Sequence, residues 1–315
     1  MNRKAIIFGL KGTKLTKDEA RLLKKNKPWG IILFSRNIKN LFQLKSLVSQ
    51  IKNCTNDRKY PILIDQEGGS VSRLNKIVDL TLFSQQYFGK IYKKKKSSFL
   101  TYYSIYINAV CDILKKAGIN INTVPVLDVL QKYTHKIIKN RSFSNNATLV
   151  SKIGSYCIKQ YLKNSIGTVV KHIPGHGRAR CDSHLDLPIV TASKEELIKK
   201  DFKAFKGCHS FFAMTAHVIY KSYDSKFPAT HSKIIIKDVI RKHIKFKGIL
   251  ISDDISMKAL KHGLEKNATK ALQAGCNLIL HCNGNIKEMK KLAKIVPKID
   301  KFTRKKTSDF YNFLG

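Results

Sequence analysis

The sequence predicts a single-domain (β/α)₈ barrel spanning residues 1–315. Eight short apolar runs are spaced along the chain, most are separated by stretches of helical periodicity, and polar or charged residues stand just past nearly every run. Alternating strand and helix signals point to a parallel sheet, and polar strand ends to a barrel whose chemistry sits at its C-terminal face. No linker, composition break or repeat shorter than the βα unit divides the chain.

Residues 5–10 form the first strand by length and by the flanking Gly9 and Gly12. Thr16, with Glu19 three positions on, has capping-box spacing and opens a helix. The second strand is 30–34, and Leu41, Leu44, Leu47, Val48 and Ile51 then share one helical face. The third strand, 61–64, delivers Asp65, Gln66, Glu67, Gly68 and Gly69. Residues 82–116 read as mostly helical, with Lys93 to Lys96 a solvated loop or helix start. The fourth strand, 119–126, ends at Leu127 and Asp128. A polar loop containing Asn140, Arg141, Ser142 and Phe143 precedes a helix over about 147–162. Strands five to eight are 166–170, 211–214, 248–251 and 276–280, leading into Lys171-His172, Thr215-Ala216-His217, Ser252-Asp253-Asp254 and His281-Cys282. The last 30 or so residues carry no motif and stay unassigned, helix or tail.

Composition narrows the functional classes. The formal charge of +39 suggests a polyanionic partner, yet 50 of the 60 basic residues are lysine, strewn over every predicted surface helix. No recognition helix or aromatic ladder accompanies them, so dispersed surface lysine is the preferred reading and a nucleic-acid partner is not expected. Seven cysteines, odd in number and without CxxC spacing, fit reduced thiols in a cytoplasmic protein. The N-terminal apolar stretch is too short for a signal peptide, and no run of 18 apolar residues exists, so a soluble, unexported chain is expected.

The densest chemistry lies in residues 170–188, VKHIPGHGRARCDSHLDLP. Pro174, Gly175 and Gly177 forbid a continuing helix, so a strand end opens into a shaped loop holding three histidines, Lys171, Asp182 and Asp186. Two further constellations are Asp65 with Arg73 around a Gly-Gly turn, and Ser252-Asp253-Asp254. Carboxylates at strand ends beside a histidine-rich loop suit acid/base or nucleophilic work on a polyhydroxylated substrate. Each also has a plain structural reading. Gly68-Gly69 could be only a tight turn with Asp65 a cap, Asp253 or Asp254 could N-cap the following helix, and His217 could be a buried residue at the barrel mouth. His172 and His176 have i, i+4 spacing, but Pro174 and Gly175 break the helix that would make them joint metal ligands, so no metal or cofactor is expected.

DQEGGSVSRL, KHIPGHG followed by DSH, and SDDISM, in this order at these strand ends, resemble the family 3 glycoside hydrolases, in particular the single-domain bacterial β-N-acetylhexosaminidases of peptidoglycan recycling. The similarity runs over about residues 5–283. It implies a (β/α)₈ barrel that releases terminal non-reducing β-linked N-acetylglucosamine from N-acetylglucosaminyl-1,6-anhydro-N-acetylmuramic acid, with or without stem peptide, in the cytoplasm. By motif, Asp253 is implied as nucleophile, His184 as general acid/base and Asp182 as its partner. Asp65, Arg73, Arg141, Lys171 and His172 are implied to bind the sugar. The expected partner is a small muropeptide sugar and the expected state a monomer. Two alternatives stay open: another family 3 activity, such as phosphorolysis or action on other β-glycosides, or a basic polyanion-binding protein on a retained barrel.

The charge reading is open to test. If the lysines are dispersed, duplex DNA should bind weakly and lose most of its affinity between 50 and 200 mM salt, roughly the span over which phosphate contacts are screened. Fluorescence anisotropy across that titration measures it; sequence-selective binding that survives physiological salt would favour the polyanion alternative.

Overall fold

In the computed structural model, which describes residues 2–179, 181, 183 and 186–315, eight parallel strands close into a barrel. They are β1 (Lys4–Gly9), β2 (Pro28–Leu33), β3 (Ile62–Ile64), β4 (Ile121–Asn122), β5 (Gly167–Ile173), β6 (Phe212–Thr215), β7 (Ile249–Asp254) and β8 (Leu278–His281). Each pairs with its neighbours in sequence, and β8 returns to β1 with Ile6 opposite Ile279 and Ile7 opposite Leu280. Every predicted apolar run holds its strand. The runs are apolar on both faces because one face fills the barrel and the other meets the helical ring.

Two shifts in strand ends matter for function. β5 continues through Lys171 and His172, and β7 through Asp253 and Asp254, where the sequence suggested loop. Side chains assigned to flexible connections are therefore carried on paired backbone.

The helices follow their amphipathic patterns. Thr16 caps Lys17–Asn26 with the reciprocal Glu19 contact, and Leu41–Thr55 buries Leu44, Leu47, Val48 and Ile51. The long helical stretch resolves into Gln85–Lys94 and Lys96–Ala117, so the run Lys93 to Lys96 is an exposed corner between two helices. The unassigned C-terminal segment forms Ile286–Ile295 and Lys301–Phe313. The second of these seals the bottom of the barrel. Phe310 packs edge-on against Phe212 at 5.1 Å between ring centres, and Thr307 accepts the Trp29 indole N–H at 2.9 Å. Outside the barrel, Ile189–Val190 and Ile219–Tyr220 pair in parallel, each too short to be read from sequence.

The loop after β5 owes its path to two glycines. Gly175 sits at φ +139°, a conformation that L side chains rarely adopt, and a Cβ on Gly177 would lie 2.0 Å from the Val129 carbonyl oxygen. The obstacle at Gly177 is backbone, so it cannot swing aside. Gly177→Ala should cost about 1–3 kcal/mol, the range for overpacking, and lower Tm by several degrees in a thermal melt. An unchanged Tm would show that the two loops separate freely.

Candidate active site

The C-terminal mouth of the barrel holds a cavity of about 660 Å³. Six of the eight residues implied as catalytic or sugar-binding line it: Asp65, Arg73, Arg141, Lys171, His172 and Asp253. They come from four separate strand ends and loops, and closure of the barrel brings them to one place. Asp182 and His184 lie outside the described residues.

The segment after β3 is built by its own amides. Gln66, fully buried, accepts the backbone N–H groups of Arg73 at 2.6 Å and Leu74 at 3.0 Å through its side-chain oxygen. Asn122 of β4 pins the Gln66 backbone from the other side, donating to its carbonyl and accepting its N–H. Arg73 is thereby folded back onto Asp65, where Nη2 lies 2.6 Å from Oδ2. Asp65 Oδ1 accepts from Lys171 Nζ at 2.5 Å and from the Thr123 hydroxyl at 2.5 Å.

The same ammonium also meets Glu67, with Lys171 Nζ 2.6 Å from Oε1. Arg141 grips Glu67 with two parallel bonds, Nε to Oε2 and Nη2 to Oε1, both 2.8 Å. Lys171 and Glu67 are almost completely buried. Burial alone would raise both acids, but Lys171 and Arg73 hold Asp65 well below the usual carboxylate range, and Arg141 with Lys171 holds Glu67 below it. Both acids are anions and their cationic partners stay in place.

His172, next on β5, places Nδ1 2.7 Å from Asp128 Oδ2 and Nε2 3.3 Å from Arg141 Nη2. Asp128 is fully buried; burial works against its charge, but His172 and His176 draw its pKa down to about 2. His176 donates its backbone N–H to Asp128 Oδ1 at 2.6 Å, and burial brings its own ring down to about 4. The His172 ring is thus committed to a carboxylate and a guanidinium, while the His176 ring meets the Ser183 hydroxyl through Nε2 at 3.2 Å. Among the described residues no group of three or more His, Cys, Asp or Glu is placed to hold a metal ion.

At the end of β7, Asp253 faces the cavity while Asp254 ties the following turn. Asp254 accepts from the Ser256 backbone and hydroxyl and from the Cys282 backbone N–H. The alternative that Asp254 N-caps the following helix does not hold: it ties a turn, and the next helix begins only at Leu264, with Gly263 at its N-cap. His217, wholly buried, donates Nε2–H to the Asp254 carbonyl at 3.0 Å and holds the backbone behind Asp253. Sequence reasoning assigned no role to Glu67 or Asp128. Each is an acid at the end of a predicted strand, a signal that was present but not used.

A closed parallel barrel with anionic and cationic side chains converging at its C-terminal mouth is the architecture of an enzyme whose chemistry lies at its strand ends. Residues 4–308 match the Glycosyl hydrolase family 3 N terminal domain, and the chain belongs to that family. A Beta-hexosaminidase of Haemophilus influenzae is 32% identical over 287 residues, 89% of this chain and 79% of that protein. One from Neisseria gonorrhoeae is 34% identical over 290 residues, with 89% and 78% covered. The crystal structure of NagZ from Neisseria gonorrhoeae in complex with N-trifluoroacetyl-D-glucosamine superposes with a TM-score of 0.88 at 30% identity, covering 100% of this chain and 90% of that one. A family 3 β-N-acetylglucosaminidase from Paenibacillus gives 0.86 at 25% identity over 98% of this chain, which spans 60% of that longer protein.

The ion network makes an energetic prediction. Glu67→Gln leaves two buried cations facing a neutral amide and should cost about 3–5 kcal/mol in urea unfolding, the range for breaking a buried pair. Lys116→Ala, which removes a pair with Asp112 across one helical turn on an exposed surface, should cost under about 0.5 kcal/mol. Equal effects would mean that the mouth network is solvated.

Proposed function

We propose that this chain removes terminal, non-reducing β-linked N-acetylglucosamine from N-acetylglucosaminyl-1,6-anhydro-N-acetylmuramic acid, with or without stem peptide, in cytoplasmic recycling of the cell wall. It does so as a monomer and without metal or cofactor. In its broader class it is a glycoside hydrolase acting on β-N-acetylhexosaminides, the activity carried in the names of its relatives. One observation supports the finer reading most: Asp253 lines the same cavity as Asp65, Arg73, Arg141, Lys171 and His172.

A sugar hydroxyl both donates and accepts a hydrogen bond. Asp65 offers an acceptor, and Lys171, Arg73 and Arg141 offer donors, so the cluster suits the polar edge of a pyranose. With the ring held there, a carboxylate oxygen of Asp253 attacks the anomeric carbon. The bond to the aglycone oxygen breaks, and His184 supplies the proton that oxygen needs. Water then attacks the glycosyl ester, His184, now neutral, takes its proton, and the bond to Asp253 breaks with net retention. Asp182, two residues from His184, orients the ring and favours its protonated form in the first step. No helix of the described residues is long and apolar enough to cross a membrane.

Purified protein is assayed on 4-nitrophenyl N-acetyl-β-glucosaminide beside the β-glucoside, with EDTA in both. Turnover of the first alone, indifferent to chelator, is expected. Asp253→Ala should abolish it, and a slow fluorinated glycoside should label Asp253; a label on Asp254 overturns the nucleophile assignment. His184→Ala should slow cleavage of the natural disaccharide by about 10²–10⁴-fold. Formation of the glycosyl enzyme from the nitrophenyl substrate should suffer far less, with azide speeding its breakdown. Equal losses on both substrates without azide rescue would reduce His184 to a binding residue.

A further inference from the structure

We propose that Asp128 is a positioning residue that fixes His172 as the neutral, Nδ1-protonated tautomer, so that Nε2 faces the cleft as a hydrogen-bond acceptor. Asp128 has no exposed surface and does not line the cavity, so it acts only through what it holds. The proposal rests on the reading that the cleft takes a sugar, but the state of the ring is set by contacts already in place.

Two independent contacts assign the proton. A guanidinium has only donors, so Arg141 Nη2, 3.3 Å from His172 Nε2, requires a lone pair on that nitrogen. An ionised carboxylate has only acceptors, so Asp128 Oδ2, 2.7 Å from Nδ1, requires a proton there. Both demands select one tautomer, and a second proton on Nε2 would point at a cation. The carboxylate cannot turn away, because its other oxygen accepts the His176 N–H at 2.6 Å and the His172 N–H at 3.3 Å. Its backbone is tied to the same strand, since Leu127 N donates to the Lys171 carbonyl at 2.7 Å.

The chemical consequence is an acceptor where acceptors are scarce. Lys171, Arg73 and Arg141 can only donate, and Asp65 already accepts from two cations and a hydroxyl. A sugar hydroxyl that enters can give its proton to the single lone pair of His172 Nε2 in place of the Arg141 N–H, and the released guanidinium N–H then donates to that hydroxyl's oxygen. A histidinium would supply one more donor to a donor-rich wall.

The test uses the full chain labelled with ¹⁵N-histidine, with the His172 signals identified by their loss in His172→Gln. A pyrrole-type shift at Nδ1 and a pyridine-type shift at Nε2 are expected. A doubly protonated ring or an Nε2–H tautomer overturns the proposal, and this measurement needs no variant of Asp128 to fold. Asp128→Asn keeps a carbonyl oxygen for the His176 N–H but presents an amide donor to Nδ1. It should move His172 to the Nε2–H form and lower kcat/KM on the nitrophenyl N-acetyl-β-glucosaminide by about 10–100-fold, the scale on which carboxylates behind functional histidines act. In a His172→Gln background the same substitution should cost less than about 3-fold, because its route is already gone. Full multiplication of the two losses would make Asp128 a general structural residue. Wild-type protein that shows the expected spectrum but no glycosidase turnover would sink the sugar reading and leave the tautomer standing.

Discussion

The mouth of this barrel depends on one ammonium group shared between two carboxylates. Lys171 is carried on β5 and its partners Asp65 and Glu67 follow β3, so the contact exists only while β4 holds the two strands in register, with Leu63 opposite Ile121 and Ile121 opposite Gly167. A lysine buried without anions would lose its proton, and carboxylates buried without cations would gain one. Strand register and ionisation therefore support each other. Once Lys171 is fixed, Arg73 completes Asp65, Arg141 completes Glu67, and His172 is left to Asp128.

A polar mouth of this kind needs an apolar counterweight. The far end of the barrel is closed by the C-terminal helix, with Phe310 against Phe212 and Gly167, and with Trp29 beneath. The short strands between are apolar along their length, so the barrel's stability is concentrated away from the cleft. The mouth can then hold desolvated charges whose net contribution to folding is small or unfavourable, which frees those positions to be chosen for chemistry.

The strands were legible because a barrel strand buried on both faces is an uninterrupted apolar run, and helices between such runs show their period plainly. Strand ends were less legible. Lys171, His172, Asp253 and Asp254 are polar, and polarity after an apolar run reads as loop, although at a barrel mouth the paired backbone continues beneath polar side chains. Glu67 and Asp128 were visible as residues but not as members of the site, since their partners Arg141 and His172 lie 74 and 44 positions away and only closure of the barrel brings them together. The C-terminal helices escaped notice for a different reason. Lysine is so frequent there that the apolar stripe of Met289, Leu292 and Ala293 is diluted.

The same lysine excess explains why so basic a surface leaves the cleft's chemistry alone. Two unit charges 4 Å apart interact by about 4 kcal/mol at the effective dielectric of a protein surface, and the cleft pairs sit closer and drier than that. Exposed lysines separated from the site by more than the Debye length, roughly 8 Å at physiological salt, are largely screened. The protonation of Asp65, Glu67 and Asp128 is accordingly governed by Lys171, Arg73, Arg141 and the two histidines, which touch them, and hardly by the net charge of +39. Surface and cleft then answer differently to salt: attraction between the lysine surface and any polyanion weakens as ions are added, while the buried pairs that hold the cleft wall in shape are screened far less.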